Sequence, residues 1–328
     1  MKKALIFLIL LVLCGMFFLA DLVLGSIYIP FGELFESHNS IYYEILCNFR
    51  FPKAITAIVT GAAISLSGLL MQTLFRNPLA GPYVLGVSSG AGLGVAIYIL
   101  ASSFVPTMLL QSGWGLVIAA IVGASFVLSL VLLVSFRVKN AVSLLLIGLM
   151  FGQIAGAIVS LLQSVSDPDS LKLYITWTFG DLSAVSWKYM QVMLPIVIIG
   201  FFLAFSIQKP LDGLLLGENY AKGLGVSISK TRLIIIVSIT LLAGAITAFT
   251  GPIAFIGIAV PHIARGIFRT SSHRVLIPAT MLVGAVLLLM CDIITQLPSH
   301  TPLPINAVSA VIGAPIIIWI ILKNRSRA

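Results

Sequence analysis

The chain has 328 residues, 59% of them hydrophobic and 9% charged, whereas a soluble domain carries about 25% charged residues. No aqueous fold could hide this much apolar surface, and the formal net charge of +9 follows from basic residues gathered at one side of a membrane, so it implies no nucleic-acid partner. Apolar runs such as Ala4 to Gly25, Leu116 to Val134 and Met190 to Ser206 each approach the roughly 20 residues that cross a bilayer as a helix. A β-barrel is excluded, because its strands would be about 10 residues of alternating polarity, and no run alternates in that way.

In chain order the hydropathy pattern predicts an all-α integral membrane protein with about ten spans. They lie at roughly 4–25, 54–74, 83–100, 114–135, 142–163, 189–207, 231–250, 252–268, 276–296 and 306–323, in one transmembrane domain covering 1–328. Lys2 and Lys3 precede the first run as they would in a signal peptide. Its apolar stretch exceeds a signal core of about 7 to 15 residues, however, so it reads as a retained span. Leu11-Val12-Leu13-Cys14 lacks the small residue that a lipoprotein cleavage site wants before its cysteine. Cys14, Cys47 and Cys291 are widely spaced and form no metal or redox pattern. Gly251-Pro252 separates the seventh and eighth spans with almost no loop, which makes that pair the weakest part of the map.

Lys and Arg concentrate in cytoplasmic loops near span ends. With both termini inside, only Arg50, Lys53, Lys172 and Lys188 of the 19 basic residues fall outside, while Glu33, Glu36, Glu44, Asp167 and Asp169 do. The inner set runs from Lys2 and Lys3 through Lys139 and Lys222 to Lys323, Arg325 and Arg327. Gly61-Ala62 followed by Ser67-Gly68 has the spacing of Gly244-Ala245 followed by Thr250-Gly251. Since the second span runs inward and the seventh outward, the match suggests an inverted repeat of the kind transporters use, with the polar insertion 208–232 at the junction.

Glycines recur every fourth residue in span three (Gly86, Gly90, Gly94) and span five (Gly148, Gly152, Gly156). Such stripes let helix backbones approach closely, either inside one subunit or at a subunit interface or pathway wall. Pro78, Pro82, Pro252, Pro261 and Pro315 sit in or beside spans, and broken helices in a membrane need protein or a watery cavity around them. Ordinary kinks would read the same way. Ionisable residues at membrane depth are costly and functional by default; the deep candidates are Asp292 and His262. That is thin machinery for an ion-coupled secondary transporter, the alternative reading. The sequence also lacks a Gly-x-x-x-x-Gly-Lys-Ser/Thr phosphate loop, so ATP, if it drives transport, is bound by a partner.

Several ordered motifs carry a family resemblance: Arg50-Phe51-Pro52-Lys53, Gly61-Ala62 to Gln72, Arg76-Asn77-Pro78-Leu79-Ala80 with Pro82 and Gly86, and Trp177 to Gly180. They continue with Gly217-Glu218, Ala221 and Leu224-Gly225, then Gly251 to Gly257, Pro261-His262 with Ala264-Arg265, and Gly313-Ala314-Pro315. Nearly end to end, the chain resembles the permease subunits of type II ABC importers for iron-siderophores, haem and vitamin B12, the FecCD-like permeases. The resemblance implies a homodimer of ten-helix subunits with inverted repeats in the cytoplasmic (inner) membrane and a translocation path on the dimer axis. It also implies two cytoplasmic ATPase subunits that bind ATP and Mg, an extracytoplasmic substrate-binding protein, and no cofactor, metal or catalysed reaction in this chain.

On the same resemblance Gly217, Glu218, Ala221, Leu224 and Gly225 look like the coupling element that inserts into the ATPase, against a plain solvated loop as the bland reading. Arg50 and Lys53 look like the basic pair that docks the binding protein, against simple interfacial anchoring. Lys53 stands where Arg is usual, which loses bidentate geometry, and Gln296 stands where many relatives have a basic residue. Trp177 and Gly180 look like part of a short outer helix that narrows the pathway, with Gly148, Gly152 and Gly156 as further pathway candidates. Asp181 and Thr301-Pro302-Leu303-Pro304 depart from the family pattern near the gate. Arg76, Asn77, Pro78, Pro261, His262, Arg265 and Asp292 complete the family's structural motifs.

Overall fold

A computed structural model describes residues 2–25, 41–102, 114–138, 141–297 and 302–325; Glu33, Glu36, Lys139, Thr301 and Arg327 lie outside them. Hydrocarbon offers backbone groups no water to bond, so a spanning segment must satisfy its own hydrogen bonds. Accordingly, every regular element among the described residues is helical. α1 (Lys2–Val23) is followed by α2 (Ile41–Ile45), which passes through a π-turn at Leu46–Arg50 into α3 (Phe51–Phe75). A 3₁₀ turn (Pro82–Leu85) precedes α4 (Val87–Leu100), then come α5 (Gly115–Arg137), α6 (Ala141–Val165), the short α7 (Pro168–Thr178) and α8 (Trp187–Ser206). The polar insertion folds as α9 (Gln208–Leu215) and α10 (Glu218–Gly223). α11 (Ile228–Ile239) and α12 (Ala245–Thr250) are joined by a second π-turn (Thr240–Gly244), and α13 (Ile256–Phe268), α14 (His273–Gln296) and α15 (Ile305–Arg325) complete the chain.

Among the described residues, six helical segments are long and apolar enough to cross a membrane, and four shorter apolar helices, Val87–Leu100, Gly115–Val131, Ile256–Phe268 and Ile305–Trp319, join them. α3 is the centre of the bundle: 83% of the most apolar stretch of Ile41–Phe75 is buried, against 22% for α1 and for Ser143–Val165 in α6. Two of its buried hydroxyls bond back to the preceding turn, Thr56 to the Pro52 carbonyl at 2.7 Å and Ser67 to that of Ala63 at 2.8 Å, which spares those two an unpaired polar group in hydrocarbon. α3 packs along α14 with backbones in contact, since a Cβ on Gly61 would lie 2.3 Å from the Gly284 carbonyl oxygen.

The glycine stripe of α4 serves the same purpose against α5. A Cβ on Gly94 would lie 2.0 Å from the Ala119 oxygen, and one on Gly123 would lie 2.1 Å from that of Gly90. This seam is packing within one subunit. The two segments that share a glycine spacing agree at the second glycine, where Gly68 and Gly251 both touch backbone, and differ at the first, where Gly61 does and nothing approaches a Cβ on Gly244 closer than 3.9 Å.

Two sequence-derived boundaries shift for local reasons. Span three is divided at Gly86, whose φ of 77° is a left-handed conformation suited to glycine. Span eight starts at Ile256 instead of 252, because residues 251–255 form no helix. Gly251 (φ 74°) and Phe255 (φ 65°) turn the chain there, and Pro252 has no amide hydrogen to give.

Candidate functional site

At the basic end of the bundle α9 closes on Leu216, and Gly217, with φ 112°, turns the chain into the six-residue α10. Gly217's carbonyl accepts from the Ala221 amide at 2.9 Å, and the Gly225 amide (φ 81°) bonds the Lys222 carbonyl at 2.9 Å. Two left-handed glycines thus bracket a tight, self-capped helical turn. Ala221 is fully buried against α9, while Leu216, Tyr220 and Leu224 stand 63%, 58% and 61% exposed. Three large apolar side chains on one polar loop form an apolar knob, and such patches mark a contact surface. Nothing lies within 4 Å of a Cβ on Gly223 or Gly225, so this face is open.

Glu218 ties the knob to the bundle. Its Oε1 accepts from Arg232 Nη2 at 3.1 Å, and Arg232 Nη1 also reaches the Val138 carbonyl at 3.2 Å, beyond the end of α5. The five coupling residues expected from the sequence are therefore gathered in one element, joined to α11 and α5 by one guanidinium.

Two further sequence motifs come together beside it. Arg76 caps α3 in a left-handed conformation (φ 48°), and a Cβ on Gly217 would lie 3.6 Å from Arg76 Nη1. Asn77 Oδ1 accepts from the Leu79 amide at 2.9 Å, and Pro78's carbonyl lies 2.7 Å from His262 Nε2. Pro261 is buried in α13, and one turn on Arg265 Nη1 donates to Gln72 Oε1 at 2.5 Å while Gln72 Nε2 donates to the Ile258 carbonyl at 3.1 Å. His262 and Arg265 thereby clasp α13 to the end of α3.

At the opposite end, Arg50 and Lys53, the pair expected to dock a binding protein, are turned inward and buried. Lys53 Nζ lies 3.3 Å from Asp21 Oδ1 and 2.8 Å from Asp292 Oδ2, with Asp21 at 0% and Asp292 at 4% exposure. Arg50, 7% exposed, donates to the carbonyls of Leu22 at 2.6 Å and Leu24 at 3.1 Å, at the end of α1. Gln296 Nε2 bridges the carboxylates, 2.8 Å from Asp21 Oδ1 and 3.3 Å from Asp292 Oδ2. The physical reason is charge: two buried carboxylates are tolerable only with partners, and Lys53 lies within ion-pair distance of both while Gln296 donates to both. Asp21 was not singled out from the sequence, although an acid at the end of an apolar span was its signal.

α7 and the 251–255 link form a third locus. Asp167 caps α7 by accepting from the Ser170 amide at 2.9 Å. At the other end a Cβ on Gly251 would lie 2.6 Å from the Trp177 carbonyl oxygen, and Gly180 has φ 74°. Asp181's amide donates to the Thr250 carbonyl at 2.8 Å. Asn306, on α15, donates to the Thr178 carbonyl at 3.3 Å and accepts from the Ala254 amide at 3.1 Å. The Tyr83 hydroxyl donates to the Ile253 carbonyl and accepts from the Ile253 amide at 2.7 Å. Irregular backbone at membrane depth persists only when its groups are satisfied in this way. Neither Asn306 nor Tyr83 was expected; both sit in apolar surroundings and declare themselves only through partners far along the chain.

The second glycine stripe behaves differently from the first. Gly148 is buried, with its carbonyl oxygen 3.2 Å from where a Gly86 Cβ would stand, Gly152 faces Ser89, and nothing lies within 4 Å of a Gly156 Cβ. Gln153, Gly156, Ser160 and Ser164, three or four residues apart, share an exposed and comparatively polar face of α6.

The whole arrangement superposes on a metal-chelate type ABC transporter in an inward-facing conformation, with a TM-score of 0.86 at 30% identity, covering 97% of this chain and 99% of that one. PsaBC from Streptococcus pneumoniae, at TM-score 0.56 and 16% identity over 82% and 90% of the two chains, shares the fold alone. The protein is thus a multi-pass membrane permease of the type II ABC importer class. Its sequence is 35% identical over 311 residues to the vitamin B12 import system permease protein BtuC of Klebsiella pneumoniae, covering 94% of this chain and 91% of that one. It is 32% identical over 316 residues to an uncharacterized ABC transporter permease protein of Bacillus subtilis, covering 92% and 88%. Residues 9–323 match the FecCD transport family, and the chain belongs to that family.

Proposed function

We propose that the chain forms, as a homodimer in the cytoplasmic membrane with both termini inside, the pathway of an ATP-driven importer that moves a bulky metal chelate, haem or corrinoid by alternating access. The observation that carries this reading is the open apolar knob at Leu216, Tyr220 and Leu224, held on a rigid, glycine-bracketed turn and ion-paired to α11 through Glu218 and Arg232. A short rigid element of this kind suits the transfer of a rigid-body push between subunits. ATP and Mg belong to the partner ATPase, and an extracytoplasmic binding protein delivers the substrate. The exposed Gln153 on α6 supports a homodimer, since its amide facing lipid would be costly and a partner copy or a wet pathway would satisfy it. The substrate class follows relatives named for vitamin B12 and metal-chelate transport.

The test is affinity purification of the tagged, detergent-solubilised chain, with copurifying proteins identified, and reconstitution into vesicles. A stoichiometric ATPase, lost with Gly225→Trp, together with ATP-dependent uptake of cyanocobalamin, haemin or a ferric siderophore, is expected. Uptake that proceeds without ATP and collapses with an ion gradient overturns the proposal.

A further inference from the structure

α14 begins with His273, which is fully buried. Its Nδ1 lies 2.6 Å from Asp212 Oδ1, and its backbone amide donates to the same oxygen at 2.8 Å. On the ring's other side Nε2 lies 2.8 Å from the Thr73 hydroxyl in the last turns of α3. The Ser272 hydroxyl reaches Asp212 Oδ2 at 3.4 Å. Nδ1 must carry hydrogen to meet a carboxylate, so the Asp212 bond is charge-assisted in either state of Nε2. One imidazole therefore joins three elements that are far apart in sequence: α9, α3 and α14.

The position of these elements gives the cluster its use. Asp212 lies on α9, the arm that leads through Gly217 into the apolar knob. α3 and α14 are locked backbone to backbone at Gly61 and Gly284. At their far end Lys53 of α3 and Asp292 of α14 are ion-paired with Asp21 of α1. A displacement of the knob can reach the far face through stiff contacts if α9 is fastened to the α3–α14 pair, and Asp212 to His273 is an ionic fastening there, in addition to the Glu218–Arg232 pair that ties the knob to α11.

We propose that His273 is a positioning residue that makes the coupling arm and the α3–α14 pair move as one body, so that its loss uncouples ATP hydrolysis from transport. The inference rests on the coupling role given to the knob. Two discrete arrangements of such a rigid unit would be what both faces bias.

The experiment uses the full complex of this chain with its copurified ATPase in proteoliposomes, scoring uptake of cyanocobalamin, haemin and ferrichrome per ATP hydrolysed. His273→Ala is expected to lower uptake per ATP by about tenfold, within the usual range of coupling effects, with hydrolysis largely retained. Asp212→Asn, which keeps an acceptor for the ring, should restore part of the ratio lost in Asp212→Ala. Thr73→Val, which keeps the shape, should give a smaller loss and reports on the cluster if His273→Ala does not assemble. Uptake and hydrolysis that fall together, or a ratio unchanged in Thr73→Val and both Asp212 variants, overturn the positioning role while leaving the importer reading intact. A wild-type chain with no copurifying ATPase, or one that moves none of the three probes, overturns the importer reading and this inference with it.

Discussion

The two ends of the bundle use charge in opposite ways. At the Asp21–Lys53–Asp292 cluster every charged side chain is 9% exposed or less, and one ammonium lies within ion-pair distance of both carboxylates. At the knob, Glu218 retains 34% of its side-chain exposure beside a single guanidinium, and apolar groups stand in the open around it. Charge buried and balanced holds helices at fixed separation. Charge half-exposed on a short turn, beside uncovered apolar surface, suits a surface that binds and is pushed.

The comparison breaks most visibly at Lys53. Lys53→Met leaves two carboxylates facing each other in a low-dielectric site, and removing one partner of a buried ionic group typically costs about 3–5 kcal/mol. Equilibrium unfolding of the purified chain should show that loss, with Lys53→Arg close to wild type. A pair reserved for docking would instead give wild-type stability and weakened capture of the binding protein.

Next in size is the knob. Truncating both Tyr220 and Leu224 to Ala should weaken ATPase association by about 2 kcal/mol or more, as central apolar anchors do, and leave the chain's own stability within about 0.5 kcal/mol. Quantitative copurification and thermal unfolding measured together check both halves. Equal losses in the two would place these side chains in the chain's own packing.

Glu218→Gln sharpens the contrast, because it removes an ion pair of the same formal type as the Lys53 cluster. With one partner a third exposed, it should cost only about 0.2–1 kcal/mol of stability, while lowering the ATPase rate of the assembled complex. A stability loss as large as that of Lys53→Met would erase the distinction between the two ends.

How much of this was legible differs between the same regions. Apolar runs revealed the helices because hydrocarbon permits few alternatives, and the resemblance marked Gly217 to Gly225 because that element is contiguous. The ionic cluster is assembled from Asp21, Lys53, Asp292 and Gln296, on three helices, with Asp21 and Gln296 separated by 275 positions. No local period encodes such a meeting, so Arg50 and Lys53 read as surface cations. His273 was obscure for another reason: it lies among the basic residues Arg269 and Arg274, in a stretch that reads as a solvated loop ahead of a span expected at 276. The link at 251–255 was visible as Gly251-Pro252, but its capping by Tyr83 and Asn306 is a tertiary fact.

The smallest predicted effect lies at the fully exposed cap of α7. The Ser170 amide and hydroxyl hold the Asp167 carboxyl below the usual carboxylate range, so the folded helix binds this proton more weakly than the unfolded segment does. The sign follows from linkage: the cap's contribution is complete above the ordinary carboxylate pKa and disappears as pH falls through the lowered folded value. Asp167→Ala should therefore speed amide exchange in the first turn of α7 at neutral pH, relative to wild type, with the difference closing in acid. If exchange at the first turn of α7 is unchanged in Asp167→Ala at neutral pH, the cap does not hold that turn, and the ordering of α7 rests on the bonds that Asn306 donates to the Thr178 and Phe179 carbonyls.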